Sequence, residues 1–97
     1  MDVVFKLQGD EFEWDEEKYV VNLAKHGVKF EIAAEVFLDP FRQSGDASVE
    51  EENRSYIIGY AFSQKLVLVV YVERGVRNRI ISARNVTPTE RKLYEES

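Results

Sequence analysis

The 97-residue chain contains no cysteine, which excludes a disulfide framework, a thiolate metal site and a cysteine nucleophile. It has one histidine, His26, so a single chain cannot supply a zinc site that needs two imidazoles. Long apolar runs are also missing. The longest, Leu66 to Val72, is seven residues, against the ~20 needed to cross a bilayer. Met1-Asp2-Val3-Val4-Phe5-Lys6 lacks the cationic start and extended apolar stretch of a signal peptide, so no membrane role is expected and the cytoplasm is the default compartment. There is no repeat, low-complexity tract or Pro-rich linker, and a single domain over residues 1–97 is expected. What is present is ordinary for a globular chain: 44% hydrophobic and 32% charged residues, too apolar for a disordered one.

The net charge of −5 argues against a general nucleic-acid binder, but the average hides a division. Residues 1–53 carry five basic and 14 acidic side chains, whereas residues 54–97 carry eight basic and four acidic ones. Six of those eight are arginines, whose planar fork clasps phosphate through two parallel hydrogen bonds. The same arginines could equally pair with the acidic first half inside one fold.

Local patterns place the elements. Glu11-Phe12-Glu13-Trp14 alternates as a half-buried strand does. Asp15 suits an N-cap with Glu16 and Glu17 behind it, and the following helix ends at His26, where Gly27 supplies a left-handed cap. A second helix is expected over about Phe30 to Leu38, stopped by Asp39-Pro40. Phe41 to Asn53 reads as a surface loop around, at most, a short edge strand. Strands follow over Arg54–Phe62, Lys65–Glu73 and Arg77–Val86. Thr87-Pro88-Thr89-Glu90 then opens a helix with a capping box. The expectation is an α+β fold: β-α-α, an antiparallel three-strand meander and a C-terminal helix. Residues 1–9 add a strand that pairs with residues 10–14 or with a neighbouring chain, which leaves room for a homo-oligomer.

An ordered set of motifs now resembles a known family. Phe12-Glu13-Trp14-Asp15, Asn22 with Lys25-His26-Gly27-Val28, Phe30-Glu31 with Ala33 to Phe37, and Asp39-Pro40 come first. Arg54, Ile58-Gly59-Tyr60, Tyr71 to Gly75, Arg79 to Arg84, Glu90-Arg91-Lys92 and Tyr94 complete it. The pattern is similar to the BrnT family of type II toxins over about residues 11–96, with residues 1–10 as an N-terminal extension. The resemblance implies a small RelE-like fold, a metal-independent ribonuclease that stops translation, no cofactor, an RNA substrate and a BrnA-type antitoxin as partner.

Cleaving RNA without a metal requires a base for the 2′-hydroxyl, cations for the pentacoordinate phosphate and an acid for the leaving 5′-oxygen. His26, Arg79, Arg84 and Glu73 are the candidate catalytic residues, and Lys25, Arg74 and Arg77 the candidate RNA-binding ones. His26 has two readings, proton donor or simple partner for the carbonyls at the end of its helix. Glu73 could act as a base if buried beside an arginine. On an unbroken strand Arg77 and Arg79 share a face with Ile81 and Ala83, while Arg84 points the other way. Either a bulge realigns the arginines or they have different tasks, Arg79 on phosphate and Arg84 anchoring the first helix or an acidic group. Trp14 and Tyr94 are expected in the core or at a helix dock. The alternative function is a non-catalytic protein-interaction module of the same fold.

Overall fold

The alternating pattern at the start of the chain folds as a hairpin. A computed structural model, which describes residues 1–97, pairs β1 (Asp2–Leu7) with β2 (Asp10–Asp15) across a turn at Gln8-Gly9, both with positive φ. Phe12 and Trp14 point to the core, while Glu11, Glu13 and Asp15 alternate to the other face. Asp15 then caps α1 (Glu16–His26), its carboxylate accepting from Lys18 N–H at 3.1 Å. Gly27, at φ +70°, closes the helix by donating its N–H to the Leu23 carbonyl at 2.8 Å. Next come α2 (Phe30–Glu35), a 3₁₀ turn (Val36–Leu38) and strands β3 (Gln43–Asp46), β4 (Ser55–Tyr60), β5 (Leu66–Arg74) and β6 (Arg77–Asn85). The last element is α3 (Pro88–Glu95), whose Thr87–Glu90 capping box forms as its residue types require.

The six strands make one sheet in the order β1-β2-β6-β5-β4-β3. Every neighbouring pair is antiparallel except β2 and β6, which run parallel through Glu11/Arg77, Phe12/Asn78 and Glu13/Arg79. Strands β1 and β3 extend the sheet beyond the meander at both edges. The protein is thus a small α+β domain with a six-stranded sheet and three helices.

Helices α1 and α2 cover one face. Phe12, Trp14, Phe30, Val67, Val69 and Ile80 are buried beneath them, and Trp14, Tyr19 and Phe30 pack with ring centroids 5.0–5.7 Å apart. Helix α3 lies on the opposite face, over Ile58, Leu66 and Leu68 with Tyr56, Tyr60 and Val70 around them. No residue of α3 is itself buried. The helix is held at its start by Arg84, which donates to both Glu90 oxygens at 2.7 Å, and near its end by Tyr94, whose hydroxyl donates to Asp39 at 2.6 Å.

Beyond Asp15 the chain leaves the sheet, and β6 would lose its neighbour. Asn22 of α1 takes that place. Its amide nitrogen donates to the Ala83 carbonyl at 2.8 Å, and its oxygen accepts from Ala83 N–H at 3.2 Å. A buried side-chain amide thereby stands in for a strand.

Candidate functional site

The faces of β6 follow from its register with β5. Arg77 pairs with Arg74 and Arg79 with Val72, but Ile80 pairs with Tyr71 and Ser82 with Val70, leaving Ile81 as an extra residue in a bulge. The bulge resets the alternation. Arg84, opposite Leu68, therefore shares a face with Arg79, opposite Val72, while Ala83 turns to the core. Unbroken alternation, which put Ala83 beside Arg79 and Arg84 behind it, does not hold, because the inserted residue inverts every position after it.

Arg74, Arg77 and Arg79 gather around one carboxylate that the candidate residues omitted, Glu13. Only 8% exposed, Glu13 sits on the β2 register position opposite Arg79. Its Oε2 accepts from Arg79 Nη1 at 2.5 Å and from Arg74 Nη1 at 3.4 Å, and its Oε1 lies 3.7 Å from Arg77 Nη1. Arg77 also donates to Glu11 at 3.2 Å, and Arg79 to Asp2 at 3.1 Å. The hydrogen bond to Asp2, followed by that to Glu13, raises the Arg79 pKa although burial opposes it; the Arg79 guanidinium in turn lowers the Asp2 carboxyl. The alternation of Glu11 and Glu13 against Phe12 and Trp14 identifies their face. That this face meets β6 depends on a parallel pairing 66 residues away, which no local pattern announces.

Lys25 and His26 lie at the far end of a groove that begins at Asp15, two residues from Glu13 on the same face. It runs between α1 and β6 past Lys18, Asn22, Ile81 and Ser82. Lys25 is exposed and His26 half-buried. The imidazole makes no hydrogen bond, and Gly27 N–H serves the helix terminus instead. His26 is therefore a polar ring facing an open groove, not a fastening for its helix.

The remaining two candidates lie apart from this group. Glu73 is exposed and pairs with Asn78, so it faces away from Arg74, Arg77 and Arg79, beside Tyr71, Arg54 and Asp46. The burial beside an arginine that would make it a base is absent. Arg84 is on the arginine face but is engaged by Glu90, and this pairing holds the Glu90 carboxyl down at about 2. Its task is anchoring an acidic group, that of the C-terminal helix.

Three motif elements separated in sequence meet in a structural buckle. Asp39 accepts from Phe41 N–H (2.9 Å), Tyr60 N–H (2.8 Å) and the Tyr94 hydroxyl. Burial pushes the Asp39 carboxyl up, but the bonds from Tyr94, Tyr60 and Phe41 outweigh it and hold the group below the usual carboxylate range. Gly59 passes so close to Val36 and Asp39 that a β-carbon there would lie 2.9 Å from Val36 Cγ1. Asp39, Gly59-Tyr60 and Tyr94 are thus parts of one joint between the 3₁₀ turn, β4 and α3.

No group of three or more His, Asp or Glu side chains is arranged to hold a metal ion, and no helix is long and apolar enough to cross a membrane.

The comparisons with known proteins point one way. A search of curated proteins gives no match. Among solved structures, the chain is similar to the crystal structure of the Brucella abortus ribonuclease toxin BrnT, at 28% identity and a TM-score of 0.59. The match covers 76% of this chain and 92% of that one. The family model described as the ribonuclease toxin BrnT of type II toxin–antitoxin systems matches residues 14–90, from the buried tryptophan of β2 to the glutamate that clasps Arg84. With fold, motifs and most of its length in agreement, the chain belongs to the BrnT family.

Proposed function

We propose that the protein is a metal-independent, RelE-like ribonuclease toxin that acts in the cytoplasm, cleaves RNA, stops translation and is neutralised by a BrnA-type antitoxin. The observation that carries this reading is the set of three arginines on one sheet face, continued by a groove to Lys25 and His26. Arg79, with Arg74 and Arg77, binds the scissile phosphate and stabilises the charge that develops on it. Lys25 and His26, a helix length (~15 Å) further along the groove, hold flanking phosphates of the same strand. Glu13 is the carboxylate nearest the arginines. Its Oε1, contacted only by Arg77 at 3.7 Å, takes the 2′-hydroxyl proton once Arg74 and Arg77 swing onto RNA. Both arginines are free to do so, at 59% and 39% side-chain exposure. Arg84 positions the C-terminal helix, and Glu73 stands outside the site.

The antitoxin is expected to cover the arginine face and bring carboxylates to it, so that association slows as salt rises. A partner that leaves Arg77 and Arg79 open would count against this. Controlled expression with and without the antitoxin, read as growth and RNA integrity, tests the function, together with cleavage by purified protein in a chelator. Growth arrest without RNA loss, and no cleavage in vitro, would support the second reading, a non-catalytic interaction module. That reading draws on the pairing of Arg74, Arg77 and Arg79 with carboxylates of the chain itself.

A further inference from the structure

The sheet ends differently at its two edges. Strand β3 is four residues long, and Gly45 lies so close to Tyr56 that a β-carbon would collide with the ring. Asp46 then accepts from Ser48 N–H at 2.8 Å, turning the chain away, and the Glu50-Glu51-Glu52 run follows. Short, bent and flanked by like charge, this edge is protected against pairing. At the other edge β1 offers six regular residues with nothing beyond them.

Which backbone groups face that open edge can be derived. Glu16 N–H donates to the Met1 carbonyl at 2.9 Å, so residues 1 and 16 form a hydrogen-bonded pair. In an antiparallel ladder such pairs alternate, and the register makes Val3/Trp14, Phe5/Phe12 and Leu7/Asp10 bonded pairs as well. The N–H and C=O groups of Asp2, Val4 and Lys6 therefore point outward.

We propose that this edge is the interface for a second copy of the chain, β1 pairing antiparallel with β1 about a two-fold axis at Val4. In that register Val4 meets Val4 of the partner subunit, Asp2 meets Lys6 of the partner subunit, and Lys6 meets Asp2 of the partner subunit. All three outward-facing residues join the ladder, the only charges on the strand become two ion pairs, and Val4, 46% exposed in the single chain, is covered. Sliding by two residues either way breaks both ion pairs and leaves an outward-facing residue unpaired. Lysine on an edge strand ordinarily deters pairing, but here the sequence places an aspartate where the symmetric copy requires it. The result is a continuous twelve-stranded sheet with both arginine faces on one side. The carboxylate of Asp2 that holds Arg79 then sits at the seam. Strand β1 lies outside residues 14–90, so this contact is an addition to the part of the chain that matches the family.

The test is sedimentation of the purified full chain over a concentration series, with amide hydrogen exchange. The wild type is expected to sediment with the mass of two chains. Val4→Lys places like charges at the two-fold axis, while within its own chain the new lysine faces Glu13, so the hairpin tolerates it. It should raise the dimer dissociation constant at least about tenfold. Val4→Pro removes an outward N–H without touching the inner ladder, and should act in the same direction. In the dimer the amides of Asp2, Val4 and Lys6 should be protected and should lose protection in Val4→Lys, with Val3, Phe5 and Leu7 unchanged. A wild type monomeric throughout, or a dimer that survives both substitutions, overturns the proposal. So does protection at residues 2, 4 and 6 that arises only with the antitoxin, which would give the edge to that protein instead. None of these readouts depends on whether the chain cleaves RNA.

Discussion

The two faces of the sheet use the same strands and solve opposite problems. On the α1–α2 face, Phe12, Trp14, Val69, Ile80 and Ala83 leave almost no exposed surface, and everything there is packing. On the other face, between β1 and β5, the residues one step along each strand are Asp2, Glu11, Glu13, Arg74, Arg77 and Arg79, and no helix packs over them. Three guanidinium groups are held by three carboxylates, so their charges largely cancel within the face. Motif residues therefore divide by face: Trp14, Gly59 and Asp39 build the scaffold, and Glu13, Arg79 and the groove to His26 carry the proposed chemistry.

Substitutions that act on only one face put this division to work. The widest range of outcomes belongs to His26→Gln: loss of a flanking-phosphate contact lowers cleavage by about tenfold or less, whereas a fall of ~10²–10⁴-fold would make the imidazole the proton donor. Unfolding should be unaffected, since no hydrogen bond of the fold uses the imidazole. Parental cleavage in a folded His26→Gln protein would remove it from the site. Trp14→Ala is the counterpart on the packed face. Losing a side chain that is 1% exposed should cost ~3–5 kcal/mol in denaturant unfolding. The fraction that stays folded should still cleave, and a variant with native stability would break the comparison from the other side.

Arg79→Ala is expected to be intermediate: a drop in cleavage of at least about tenfold, or ~1.4 kcal/mol of transition-state stabilisation. Arg74 and Arg77 still accompany Glu13 in this variant, so the fold should survive, as circular dichroism and melting would show. Undiminished cleavage would exclude Arg79. The smallest effect concerns Glu90. Its carboxyl is at about 2 in the folded protein against an ordinary 4.5, so the clasp with Arg84 contributes fully above 4.5 and is lost as pH falls toward 2. With Arg84 about one-third exposed, that contribution is at most about 1 kcal/mol. The melting temperature of Glu90→Gln should lie slightly below wild type at neutral pH and converge with it in acid. A constant gap would mean that the clasp is not electrostatic.

Much of the fold was legible because its signals are local. Asp15 and Gly27 mark the ends of α1 through chemistry confined to a few residues, as do Thr87 and Glu90 at the start of α3. The apolar run of β5 announces a strand with neighbours on both sides. The sequence admits the bulge at Ile81 only as one of two possibilities, since nothing in Arg79-Ile80-Ile81-Ser82 states where an extra residue will sit. The arginines of the site were visible as a composition, but their partners were not. Glu13 reads locally as the polar half of an alternating strand, and only the parallel pairing of β2 with β6 makes it the centre of a cluster. Asn22 has no visible task in the sequence, because the strand edge it completes lies 61 positions further on.

That parallel pairing also governs when the arginine face can exist. Its contacts join the beginning of the chain to its last strand: Glu13 to Arg79 across 66 positions and Asp2 to Arg79 across 77. Contacts of such sequence separation carry the largest loop-closure cost and form late. During synthesis the hairpin and α1 leave the ribosome while β6 has yet to be translated, so a growing chain has the acidic half of the cluster and none of its cations. A face arranged this way cannot assemble until the final strand has been made and has docked.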